Sequence, residues 1–223
     1  MVARIRRMKE GMTMPVSSER EYRSIQVSEL ETRDGDDGSM IVEGYATTFN
    51  HRYMLYDMGD YAVDEEIAPE AFDKTDMSDV IMQYDHEGRI FARLRNKTLE
   101  LNVDSHGLHI RAHLEGTDIG RQLYQEIKGG YTDRMSFGFT TSKDEWTNEE
   151  DHEHNRVVAH RRITAIKKLY DVSAVSLPAN DATEISARRL SDGVIAEIKA
   201  ERLAAEQRAR RIRKIRLMME VRK

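Results

Sequence analysis

Between residues 40 and 177 apolar and polar positions alternate in short runs, the pattern of half-buried strands. In Asp133-Arg134-Met135-Ser136-Phe137-Gly138-Phe139 the period of two sends Met135, Phe137 and Phe139 to one side and Arg134, Ser136 and Gly138 to the other. The first side is predicted to be buried. The second then presents the Ser136 hydroxyl between a guanidinium and a residue with no side chain. Leu108 to Leu114 alternates in the same way and gathers His109, Arg111 and His113 on a wet face. Val80 to Gly88 reads as a largely apolar strand that breaks into a polar turn at Asp85-His86-Glu87. Ala165 to Leu177 is a strand-forming run interrupted by Asp171 and closed by Pro178. Tyr22 to Thr32 and Met40 to Phe49 flank the turn-forming Asp34-Gly35-Asp36-Asp37-Gly38-Ser39, so the fold is expected to open with a hairpin. A second, long hairpin is expected around the loop near Asn148 to Asn155.

One segment has the helical period instead. Thr117 can cap a helix in which Ile119, Leu123 and Ile127 recur every four residues and which ends at Gly129-Gly130. The expected class is therefore α+β: a mostly antiparallel sheet closed into a barrel and surrounded by helices. Residues 1–20 show no sustained period and read as a flexible arm, residues 21–185 as the folded domain, and residues 186–223 as a tail. In that tail Val194, Ile195, Ile198, Leu203, Ile212 and Ile215 recur at near-helical spacing with no glycine or proline after Gly193, which predicts a C-terminal basic helix outside the core.

Charge supports that division. The chain carries a net charge of −5, but residues 186–223 hold 12 Lys or Arg against 5 Asp or Glu, and the rest holds 23 against 35. A basic segment of this kind can dock an acidic partner or contact nucleic acid, and elsewhere nucleic-acid binding is not expected. There is no cysteine, which excludes a disulfide framework and a thiolate nucleophile together. No apolar run is long enough for a signal peptide or a membrane span, so a soluble, cytosolic protein is expected.

A serine hydroxyl becomes a nucleophile only when a base takes its proton. Of the eight histidines, His86 is the best placed, at the end of a rigid strand. His152 and His154 lie in an acidic loop that reads as solvated, with no metal expected; His51, His106 and His160 fall near turns or a strand edge. A carboxylate should orient the imidazole, and Asp171, inside an apolar run where a lone charge is costly, qualifies best. Asp85 and Glu87 flank His86 closely and are the reserve candidates. Arg134 and the backbone near Gly138 are candidate oxyanion or substrate contacts, because one carries positive charge and the other leaves room for a backbone to approach.

With these residues in place, the chain resembles the prohead maturation proteases of tailed bacteriophages, serine proteases related in fold to the herpesvirus capsid protease, assemblin. Glu43-Gly44-Tyr45-Ala46-Thr47-Thr48-Phe49-Asn50 is similar to the family's opening strand and Glu66-Ile67-Ala68-Pro69-Glu70-Ala71-Phe72 to its following short helix. Tyr84-Asp85-His86-Glu87 resembles the segment with the catalytic histidine, and Met135-Ser136-Phe137-Gly138-Phe139 the nucleophile motif. Asp171-Val172-Ser173-Ala174-Val175, with Pro178-Ala179-Asn180, resembles the last core strand. Arg134 stands where a small residue is common, and Asp171 where glutamate is more frequent. The resemblance implies a herpesvirus-protease-like barrel and a serine endopeptidase with Ser136 as nucleophile, His86 as base and Asp171 as orienting acid. It implies no metal or organic cofactor. It also implies action inside the assembling prohead, in the host bacterial cytoplasm, on the major capsid protein, its scaffolding segment and the protease's own chain, with homo-oligomers possible. A different class remains open: a non-catalytic assembly or scaffolding protein that uses the basic tail to bind an acidic partner or DNA.

Overall fold

The structure, a computed structural model, describes residues 6–7, 19–25, 30–35, 38–175 and 181–220. In chain order its elements are β1 (Arg6–Arg7), β2 (Glu21–Ile25), β3 (Glu31–Asp34), β4 (Met40–Thr48), β5 (Tyr53–Asp57), β6 (Tyr61–Ile67), β7 (Ile81–Tyr84), β8 (Glu87–Arg93), β9 (Leu99–Val103) and β10 (Gly107–His113). They continue with α1 (Asp118–Lys128), β11 (Arg134–Asp151), β12 (Arg156–Val175) and α2 (Asp181–Glu220), with single 3-10 turns at Pro69–Phe72 and Leu94–Asn96.

The long hairpin β11–β12 is the axis of the molecule, and the eight-stranded sheet is assembled on it. β2 pairs antiparallel with the first part of β11, and β1 with its far part. On the other side β12 takes two partners, both parallel: β6 along Val157 to Ile163 and β7 along Asp171 to Ala174. Parallel partners reach the same strand here because the chain crosses the molecule between them, so neither pairing is adjacent in sequence. A separate four-stranded sheet runs β3-β4-β10-β9, all antiparallel.

Among the described residues neither sheet closes into a barrel, which corrects the expectation of one closed antiparallel sheet. The two sheets instead share one core. Val42 and Ala46 of β4 and Leu108, Ile110 and Ala112 of β10 meet Met135, Phe137 and Phe139 of β11 and Leu169, Val172 and Ala174 of β12. Alternation fixes which side chains turn inward, and side-chain packing satisfies that demand as well as a continuous hydrogen-bond ladder would. His109, Arg111 and His113 lie on the outer face of β10, half exposed.

Among the described residues helices do not surround this core. α1 covers part of it with Leu123, Tyr124 and Ile127, and its N-terminus is capped as expected, the Gly120 amide donating to Thr117 Oγ1 at 3.0 Å. The predicted opening hairpin is also only half present. β3 pairs with β4, Asp34 opposite Met40, but β2 goes to the other sheet. The C-terminal helix begins at Asp181 and is not wholly outside the core: Val194, Ile195 and Ile198 are buried in a second cluster with Val63, Val157 and Ala159. Beyond it, residues 202–215 are exposed. Most of the expected N-terminal arm lies outside the described residues.

Candidate active site

Three adjacent strands bring the predicted groups together. Ser136 is on β11, Asp171 on the neighbouring β12, and His86 in the turn joining β7, which pairs with β12, to β8. That turn is two residues long, and both have positive φ, Asp85 at 47° and His86 at 61°. This is the backbone of a primed hairpin turn, which matches strand twist but costs roughly 1–2 kcal/mol per residue that carries a Cβ. Two contacts hold it: Tyr84 pairs with Glu87, and the Asp85 amide donates to the Ala174 carbonyl at 3.0 Å. The strained turn points the imidazole back across β12 towards β11.

His86 Nε2 lies 2.5 Å from Ser136 Oγ, and His86 Nδ1 lies 2.5 Å from Asp171 Oδ1. Since an ionised carboxylate only accepts, Nδ1 carries the proton in the neutral ring and Nε2 is free to accept one. Asp171 Oδ1 also accepts from Ser173 Oγ at 3.0 Å. Asp171 is 0% exposed and Ser136 1%. The sequence expectation of a serine on an open face is thus corrected: both faces of residues 135–140 are buried.

Gly138 has a different task from the one expected of it. In the β11–β12 register Gly138 faces Asp171, and Ser136 faces Ser173. A Cβ on Gly138 would stand 2.3 Å from Asp171 Oδ2 and 2.8 Å from Tyr22 Cε1. The missing side chain makes room for the aspartate carboxylate, not for a substrate backbone. A register shift next to this pair, where Gly138–Asp171 is followed by Phe139–Leu169, passes over Tyr170 in the ladder. The Arg134 guanidinium lies 3.6 Å from the carboxylate of its neighbour Asp133. Both ring nitrogens bond residues other than the reserve acids Asp85 and Glu87. His152 and His154 remain in their loop, His154 bonded to Asp151 at 2.9 Å.

Nothing in the residue pattern announces what surrounds the three groups. β2 and the residue before it touch each of them: Arg20 lies 3.7 Å from Asp171 Oδ2, the Tyr22 ring sits 4.4 Å from the His86 ring, and the Arg23 carbonyl accepts from Ser136 Oγ at 2.9 Å. Arg23 itself enters a buried ionic cluster. Its guanidinium donates to both Glu65 oxygens at 2.6 and 3.0 Å and to Glu21 at 2.7 Å. Arg161, 0% exposed, joins Glu21 at 2.6 Å, Glu65 at 2.7 Å and Asp144 at 2.8 Å. Burial alone raises the Glu21 carboxyl, but the charges of Arg161 and Arg23 and the hydrogen bonds from Arg161 and Thr141 outweigh it and lower the carboxyl to about 2. Glu65 follows the same balance, raised by burial and lowered further by Arg23 and Arg161. Alternation marks Glu21, Arg23, Glu65 and Arg161 only as polar strand positions, and polar strand positions ordinarily face water.

A hydroxyl, an imidazole and a carboxylate in this order form a path along which a serine proton can be drawn away. The model of the caudovirus prohead serine protease family matches residues 25–196. The chain belongs to this family. It is 29% identical over 175 residues to the prohead protease of enterobacteria phage HK97, covering 73% of this chain and 65% of that protein, so it spans a little under two thirds of the relative's length. The bacteriophage T4 capsid assembly protease gp21 aligns over 71% of this chain and 99% of its own, with 12% identity and a TM-score of 0.42. All three groups of the site fall within the family match, whereas of β2 only Ile25 does.

Proposed function

We propose that the protein is a serine endopeptidase of phage capsid maturation, with Ser136 as nucleophile, His86 as general base and acid, and Asp171 as the orienting carboxylate. The observation that carries this reading is the unbroken path from Ser136 Oγ through the His86 ring to Asp171, each link 2.5 Å long. His86 Nε2 takes the hydroxyl proton as Oγ attacks the scissile carbonyl. The imidazolium formed is stabilised by the buried Asp171 carboxylate, and its proton then passes to the leaving amine. Water repeats the cycle to release the acyl group. Ser173 and the space above Gly138 hold the carboxylate in the position this requires.

Its substrates in this reading are the capsid protein, its scaffolding segment and the protease's own chain, inside the assembling prohead. The exposed part of α2 carries Arg208, Arg210, Arg211, Arg213 and Lys214 and serves as the tether to an acidic partner, raising the local concentration of enzyme and substrate. Among the described residues no helix is long and apolar enough to cross a membrane. The test is co-expression with the cognate capsid protein, read by mass spectrometry. Wild type is expected to give new capsid-protein termini that Ser136→Ala does not; equal processing by both refutes the mechanism.

A further inference from the structure

The hydroxyl of Ser136 stands between two acceptors. His86 Nε2 is 2.5 Å away and the Arg23 carbonyl 2.9 Å away, and the hydroxyl has one proton for which the two acceptors compete. While that proton is directed at Arg23 it is not available to His86. The carbonyl belongs to β2, which lies along the edge of β11 with Ser24 opposite Ser136. An extended peptide reaching this hydroxyl along the free edge of β11 would need the place that β2 fills.

We propose that β2 is a resident strand that holds Ser136 at rest, and that a substrate segment replaces it along β11, selected by a basic side chain that Glu65 receives as it now receives Arg23. The inference rests on Ser136 being the nucleophile. Three observations support it. The strand and the residue before it contact all three groups of the site, so one displacement frees them together. All of β2 except Ile25 lies outside the residues that match the family. Its hold is ionic: Arg23 and Glu21 are buried against Glu65 and Arg161. A strand held by buried charges stays in place until a segment that can restore those pairs competes for it. When β2 leaves, Glu65 and Asp144 remain against the single guanidinium of Arg161. Glu21 leaves with Arg23, so the cluster keeps its net charge of −1, but Glu65 loses the guanidinium that bonds both its oxygens, and a basic side chain restores those bonds.

The test uses the full chain and a small fluorophosphonate. The probe forms a P–O bond with an activated serine, loses fluoride, and leaves the hydroxyl proton on the base. Labelling of wild type is expected to rise with probe concentration and then level off at the rate at which β2 opens. Ser24→Pro, which disrupts pairing with β11 while keeping the charged side chains of Glu21 and Arg23, should raise that plateau at least tenfold. A peptide of residues 21–25 should slow labelling of Ser24→Pro, and the same peptide with Arg23→Ala should not. A wild-type rate that stays linear in probe, or a Ser24→Pro chain with unchanged circular dichroism and an unchanged plateau, overturns the proposal. Equal competition by both peptides overturns the selection of a basic side chain. Where Ser24→Pro does not fold, hydrogen exchange of wild type decides: amides of residues 22–25 exchanging more slowly than the labelling plateau refute strand opening. A label found on a serine other than Ser136 refutes the catalytic reading itself, and so separates the two failures.

Discussion

The Ser136, His86 and Asp171 chain and the buried ionic cluster are both built around the β11–β12 hairpin and use opposite physics. Ser136, His86 and Asp171 form a chain in which a proton can change owner, because a hydroxyl and an imidazole both donate and accept. Glu21, Arg23, Glu65, Arg161 and Asp144 form a cluster of fixed charges in which each carboxylate meets a guanidinium that does not titrate. The first arrangement is suited to chemistry. The second is suited to holding strands β2, β6, β11 and β12 in register. The difference teaches that burial of polar groups marks neither function nor structure by itself; what separates the two is whether the buried groups can exchange a proton.

The largest expected effect breaks the triad alone. Ser136→Ala and His86→Ala should each lower peptide hydrolysis by on the order of 10⁴-fold, with thermal melting within a few degrees of wild type. The double variant should be little worse than either single one, and Asp171→Asn should fall between them and wild type. A variant of Ser136 that keeps turnover within tenfold would remove the distinction between the two regions.

Breaking the cluster should do the reverse. Arg161→Met leaves Glu21, Glu65 and Asp144 short of a cation, and loss of one partner of a buried pair costs about 3–5 kcal/mol, seen in chemical denaturation through the fluorescence of the sole tryptophan, Trp146. Acid should find the same weakness. The Glu21 carboxyl is lowered from 4.5 to about 2, so its contribution is complete above pH 4.5 and is lost as pH falls towards 2. In Arg161→Met that acid transition should move to higher pH. An unchanged transition would show that the cluster does not couple protonation to folding.

Two milder changes sharpen the boundary. Gly138→Ala sets a methyl against the Asp171 carboxylate, and a displacement of about 1 Å in such a group lowers turnover by roughly 10²-fold with KM little altered. Ser173→Ala removes one bond to Asp171 Oδ1 and is expected to reduce kcat by about tenfold or less, in line with the loss of a supporting hydrogen bond. If Gly138→Ala melts far below wild type yet turns over normally when folded, the glycine belongs with the structural region.

Much of this was legible from residues alone. Period-two alternation identified the inward face of β11 and β10, the cap and spacing defined α1, and the ordered motifs singled out Ser136, His86 and Asp171. These are local signals, carried by neighbours in sequence, and burial enforces them wherever the segment ends up. The same signals misread Gly138 as an opening for substrate, because a missing side chain says that something approaches and not what. Only the tertiary structure decided that an aspartate fills that space, that β2 leaves the expected hairpin for the edge of β11, and that two sheets share a core without closing into one. It also decided that Glu21, Arg23, Glu65 and Arg161 are buried against each other. Each of these outcomes depends on contacts between segments far apart in the chain. A charged residue in a strand reads the same whether it faces water or a partner, so the sequence fixes its type and the fold alone determines its environment.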